Sequence, residues 1–199
     1  MSIQFVKTHS LSGLLSASDH ALEHARAKGS CATLVVPSYA WAQQRKQHLR
    51  ATHPVGVNVQ TYRQWVTGLW DLYGTGSTII EPAARSVLLR PLITQVGLLQ
   101  SSPSPKLVSS LGAFVEEAAA PGLAPRRRLS ESQAKLMELV SLYEHKLELE
   151  GHIELARAES ALVQTGACAN ASLVFECPDL NSAHIKRFIE ELSHVSQVT

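Results

Sequence analysis

Two stretches of the chain carry residues whose types and spacing could do chemistry. Near the C-terminus, Leu173-Val-Phe-Glu-Cys-Pro-Asp-Leu-Asn181 runs an apolar strand into one carboxylate, Glu176, with a second, Asp179, three positions on. A strand ending in acidic residues is one way to hold Mg²⁺ beside the phosphates of a nucleotide. Here Phe175 stands immediately before Glu176. The stretch can therefore be a metal site, the remains of one, or a strand-to-helix turn shaped by Asp179 and Asn181. A nucleotide site also needs a phosphate loop after an earlier strand, with glycines that bring backbone N–H groups close and a lysine that reaches the phosphates. Thr8-His-Ser-Leu-Ser-Gly-Leu-Leu15 supplies Ser12 and Gly13 but no Gly-Lys-Ser/Thr, and Lys7 lies inside the predicted strand. Such a loop could still seat an anion at a helix N-terminus.

The other chemistry-bearing residues point less directly to a site. His20 and His24 are one helical turn apart, a spacing that can chelate a metal, but no third ligand is evident, and two surface histidines account for them. Glu116 and Glu117 are adjacent, so on a helix they point to different faces and cannot act as a carboxylate pair. No Ser/His/Asp or Cys/His arrangement stands out. Arg126-Arg-Arg128 could contact phosphates or be a solvated loop. The segment from Tyr39 to Arg50 offers a polar, basic face with Tyr39 and Trp41 at its start, where Trp41 is read as core and not as a base-stacking residue.

Composition bounds what these residues can be asked to do. The chain has 199 residues, 45% hydrophobic and 18% charged, with a net charge of +1. That is enough apolar content for a sizeable core, and too little charge for a generally basic nucleic-acid binder, so any such binding needs a local patch. Cys31, Cys168 and Cys177 form no metal-type pair and suit a reducing cytoplasm. No membrane span or signal peptide is predicted. Val195 onward reads as the start of a strand, so the chain is read as a piece of a longer protein.

The elements that must position the candidates alternate at both ends of the chain. Strands are predicted at Ile3 to Thr8, Ala32 to Val36 and Val57 to Gln60. Each is followed by a helix: one stopped by Gly29, one from Tyr39 to Arg50, and one capped by Thr61 whose aromatic stripe (Tyr62, Trp65, Trp70, Tyr73) is core packing. From about Tyr73 to Ala171 only helices are predicted, one ended or kinked by Pro91 and one opened by the capping box Ser130-x-x-Gln133. A strand at Ser172 to Glu176 and a helix capped by Ser182 resume the α/β pattern. The expectation is a parallel α/β domain over residues 1–75 and 168–199, with an all-helical insertion over residues 76–167.

The order of these pieces resembles the N-terminal half of UvrD/Rep-like superfamily 1 helicases, in particular the helicase-like 1A/1B region of AddB-type helicase–nuclease subunits. Leu34-Val-Val-Pro-Ser-Tyr-Ala-Trp-Ala-Gln-Gln-Arg-Lys-Gln-His-Leu49 is similar to the family's second strand and following helix, which face single-stranded DNA. Val57-Asn-Val-Gln-Thr-Tyr-Arg-Gln-Trp65 is similar to its next strand–helix segment. Leu142-Tyr-Glu-His-Lys-Leu-Glu-Leu-Glu-Gly-His-Ile153 resembles the exit from the helical 1B insertion. LVFECPDLN resembles the family's Walker B strand LVDEFQDLN.

The resemblance implies a P-loop-NTPase-like (RecA-like) fold and a role in DNA double-strand break repair and recombination, beside a partner helicase–nuclease subunit. It places single-stranded DNA against Ser38, Arg45 and Lys46 and against Thr61, Tyr62 and Arg63. It makes Ser12, Gly13, Glu176 and Asp179 the degenerate nucleotide site. Since Phe175 replaces the metal-holding aspartate and the loop lysine is gone, the expectation is no ATP or Mg²⁺ chemistry, with an active ATP-dependent helicase core and a DNA-free scaffold as alternatives.

Overall fold

A computed structural model describes residues 10–27, 31–52, 56–99, 102–119, 130–167, 172–176, 183–195 and 197–198. The chain divides into two compact units, residues 1–73 with 162–199, and residues 74–161. In chain order, the first unit holds α1 (Leu11–Ala27), β1 (Ala32–Val36), α2 (Tyr39–Thr52), β2 (Val57–Thr61) and α3 (Tyr62–Tyr73). The second holds β3 (Thr78–Ile79), α4 (Pro82–Gln95), α5 (Pro105–Ala118), α6 (Glu131–Leu149) and β4 (His152–Ile153). Helix α7 (Leu155–Thr165) crosses the division, and β5 (Ser172–Phe175), α8 (Ala183–Val195) and β6 (Gln197–Val198) complete the first unit.

The first unit is an α/β layer built on a parallel sheet of order β2-β1-β5-β6. In-register pairing sets Val36 of β1 beside Thr61 of β2, and Val35 beside Phe175 of β5. The central strands are apolar on both faces, as strands covered by helices on both sides must be. Period-2 alternation then divides their side chains. Leu34, Val36, Val59 and Val174 pack with Leu22 of α1 and with Ala42 and Leu49 of α2. Phe175 points to the opposite face, where its ring meets Trp65 of α3 edge-on at 5.6 Å, and Trp65 in turn meets Phe188 of α8 at 5.8 Å. The apolar run between Cys31 and Pro37 made β1 readable from sequence; the predicted strand at Ile3 to Thr8 lies outside the described residues.

The second unit has its own core, in which Leu89, Ile93, Val108, Val115, Leu139, Val140 and Tyr143 from α4, α5 and α6 are buried together. Ser130 and Gln133 form the capping box at the start of α6, each side chain bonding the other's backbone N–H. The sequence predicts an all-helical insertion, and the structure corrects this: the unit also holds a short strand pair. Thr78–Ile79 pairs in parallel with His152–Ile153, a pairing too short to leave a periodic signal. Helix α7 is likewise absent from the sequence-based expectation. Pro91 neither ends nor interrupts α4, which runs on to Gln95. The carbonyl its ring leaves unbonded belongs to Val87, an exposed residue (69%) where water can reach it. Among the described residues no helix is long and apolar enough to cross a membrane.

Candidate site at the carboxyl edge of the sheet

Open parallel sheets bind ligands beyond the carboxyl ends of their strands. In the first unit that edge holds the ends of β1, β2 and β5, and the N-termini of α2 and α3 that follow β1 and β2. Glu176 sits there, one residue past β5, its N–H extending the ladder to the Val35 carbonyl at 2.9 Å. Alternation along β5 puts Ser172, Val174 and Glu176 on one face, so the Glu176 side chain enters the layer between the sheet and α1 and α2.

There it is fully enclosed, at 0% exposure. Ser18 Oγ of α1 donates to Oε1 at 2.5 Å, and Trp41 Nε1 of α2 donates to Oε2 at 2.6 Å. The Arg45 guanidinium completes the cage. Its Nε stands 2.8 Å from Glu176 Oε1, out of line for a hydrogen bond, so the contact is an ion pair. Its Nη2 donates to Ser18 Oγ at 3.0 Å and to Asp19 Oδ1 at 2.5 Å. Asp19 in turn pairs with the exposed His48 ring at 3.2 Å. One guanidinium is thus shared by two carboxylates, and removing either partner of a buried pair costs about 3–5 kcal/mol because the remaining charge is stranded.

The structure places each sequence-predicted site residue. Arg45, expected against DNA, is buried (2% exposed), because it falls on the same stripe of α2 as Ala42 and Leu49. Ser12 and Gly13, expected in a phosphate loop, lie inside the first turn of α1. There the Gly13 N–H donates to Ser10 Oγ at 3.1 Å and is spent on capping the helix. Ser38 and Thr61 are helix caps too, accepting from the N–H groups of Trp41 (3.2 Å) and Gln64 (3.3 Å). The Gln64 side chain accepts from the Thr61 N–H at 3.1 Å, closing a capping box whose two halves, Thr61-x-x-Gln64, both stand in the sequence. Lys46 is exposed, Arg63 and Tyr62 are half-buried, and the Tyr62 ring packs edge-on against Phe188 at 6.4 Å. Asp179 and the Arg126–Arg128 run lie outside the described residues. His20 and His24 are both exposed, and among the described residues no three His, Cys, Asp or Glu side chains converge on one point.

A second buried polar network, in the second unit, was not anticipated. Arg85 of α4 donates from Nε and Nη2 to the two oxygens of Glu154, at 2.9 and 2.6 Å, and from Nη1 to Glu116 at 2.9 Å. The Tyr143 hydroxyl donates to the same Glu154 carboxylate. Burial by itself lowers the Arg85 pKa, but the bonds and charge of Glu154 and the charge of Glu116 outweigh it and raise it above its usual range. Burial, and then the Glu154 charge, raise the Tyr143 pKa above the ordinary tyrosine value. Gly112 on α5 faces this arginine: a side-chain carbon there would meet Arg85 Cδ at 3.4 Å. The signal available in the sequence was the same for both networks. Arg45 and Arg85 each occupy an apolar stripe (Arg85 with Leu89 and Ile93), and a charge in that register demands a buried partner.

No protein family, curated protein or solved structure matches the chain.

Proposed function

We propose that the chain is the helicase-like N-terminal region of an AddB-type helicase–nuclease subunit of double-strand break repair. In this reading phosphoryl-transfer chemistry has been lost and the α/β unit binds single-stranded DNA and partner domains. The observation that carries the reading is the state of Glu176. Where a helicase needs a carboxylate open to water and metal, this one is enclosed by Ser18, Trp41 and Arg45. A carboxylate without water access cannot position an attacking water. Phe175, in place of the metal-holding aspartate, is committed to the aromatic layer on the other face.

DNA affinity in this reading comes from the remaining surface of the carboxyl edge. The N-termini of α2 and α3 point their positive ends there, which favours phosphate. Lys46 and Arg63 add charge, and Tyr39, 63% exposed at the first position of α2, offers a ring to a base. Arg45 takes no part. Fluorescence anisotropy with single-stranded oligonucleotides tests this. Binding is expected to weaken with salt, and Lys46→Ala with Arg63→Ala should lower affinity about tenfold or more and flatten the salt dependence by about two ions. No binding, or a double variant that binds like the parent, refutes the DNA-binding reading in favour of a scaffold.

A further inference from the structure

We propose that the open edge of β2 is a strand-addition site for an extended, acidic segment of a partner protein. Among the described residues β2 is the last strand on its side of the sheet. The ladder it shares with β1 opens with the Ala32 N–H on the Gly56 carbonyl at 2.9 Å. From that register, the N–H and C=O groups of Asn58 and Gln60 turn toward β1, and those of Val57 and Val59 turn away from it. Thr61 keeps the same phase, since its N–H also turns away from β1 and bonds the Gln64 side chain. Val57 and Val59 thus leave their N–H and C=O groups, in alternation, with no partner among the described residues. Native edges of this kind are blunted by charge, proline or a bulge. The strand Val-Asn-Val-Gln-Thr is unbulged and has no charge and no proline.

The surroundings of this edge select the occupant. No Asp or Glu stands between Glu23 and Asp71, although the whole chain is nearly balanced at +1. Helix α2 packs on β2, and its Arg45 and His48 meet Asp19 of α1, so that flank of α2 faces α1. Lys46 and Arg50, one turn apart, fall on the other flank, toward the β2 edge. Both are exposed, and neither is ion-paired with a described residue. On the opposite face of the sheet, α3 turns Tyr62 and Trp65 toward Phe188 of α8. Arg63 falls on the flank of α3 away from α8. Positive charge therefore borders the edge on both faces, and carboxylates complement it.

The alternation of backbone donors and acceptors decides between a peptide and a nucleic acid. A phosphodiester offers acceptors to the two N–H groups and leaves the two carbonyls without donors. An extended peptide supplies both in the same alternation, as strand addition to a sheet edge requires. Lys46 and Arg63 are shared with the proposed DNA surface, but the backbone row is not, so this inference stands without the DNA-binding reading.

The test titrates the full chain with a fluorescein-labelled peptide, Glu-Val-Asp-Val-Glu-Val-Asp, followed by anisotropy and by amide hydrogen exchange. A control peptide of the same sequence, N-methylated at every inner residue, keeps the charges and removes the donors. Saturable binding is expected, weaker by about tenfold or more with the N-methylated peptide. The Lys46→Glu, Arg50→Glu double variant changes two exposed side chains and should weaken binding as much. In the complex, exchange of the Val57 and Val59 N–H groups should slow by about tenfold or more, while Asn58 and Gln60, already in the ladder, stay unchanged. Oligothymidylate is expected to leave the Val57 and Val59 exchange untouched whatever its own affinity, which separates this site from the DNA-binding reading. The proposal is overturned if the peptide does not bind, if the N-methylated peptide binds equally, if binding persists in the double variant, or if oligothymidylate slows the same two amides.

Discussion

Two arginines, Arg45 and Arg85, do the same physical work in separate units. Each is a buried charge that becomes tolerable only because two carboxylates meet it, Glu176 and Asp19 for one, Glu154 and Glu116 for the other. For Arg85 the cluster also contains a titrating group with a consequence for stability. Burial, and next the Glu154 charge, keep the Tyr143 phenol protonated above the ordinary value of 10.0. In the unfolded chain that phenol ionises from about pH 10. The folded pKa being the higher, this contribution is fully present below about pH 10 and is lost as pH rises toward the folded value. Urea unfolding from about pH 9 to about pH 11 should therefore show the parent losing about 1 kcal/mol more than Tyr143→Phe. Parallel pH profiles for the two proteins would contradict the assignment.

At the scale of the element, β5 shows how a period of two decides chemistry. Successive residues point to opposite faces, so Glu176 enters the α1/α2 layer and Phe175 the α3/α8 layer. Phe175 belongs to an aromatic set with Trp65, Phe188 and Tyr62, whose edge-on and tilted ring contacts add to simple burial. An aspartate at this position places a carboxylate among rings. Phe175→Asp is expected to cost at least about 2 kcal/mol in chemical denaturation, while Phe175→Leu costs less than about 1.5 kcal/mol. An aspartate variant as stable as the parent would mean that the ring contacts contribute nothing. The helices were legible to different degrees for equally local reasons. Ser130-x-x-Gln133 announces α6 because both halves of the cap are in the sequence. Pro91 misleads because its missing bond falls on Val87, an exposed residue. The β3–β4 pair is invisible because two residues carry no period.

For the molecule as a whole, the closed state of Glu176 has a consequence that any intact nucleotide site would contradict. A ligand that binds the folded state at a hundred times its Kd stabilises it by about 2.7 kcal/mol. Millimolar Mg-ATP is expected to leave the melting temperature unchanged, as measured by scanning calorimetry. A rise that Glu176→Gln abolishes would establish an active ATPase reading instead. By itself, the sequence determined the alternation of strands and helices at both ends, the apolar stripes, the caps at Ser130 and Thr61, and the absence of a Gly-Lys-Ser/Thr loop. These are local properties, written in the spacing of neighbouring residues. Only the tertiary structure decided what Glu176, Arg45, Glu154 and Arg85 do, because their partners lie far along the chain: Ser18 and Glu176 are 158 positions apart, Arg85 and Glu154 69. A charged residue in an apolar stripe says that a partner must exist; which one it is depends on how strands pair and helices pack, and that is settled by the whole core at once.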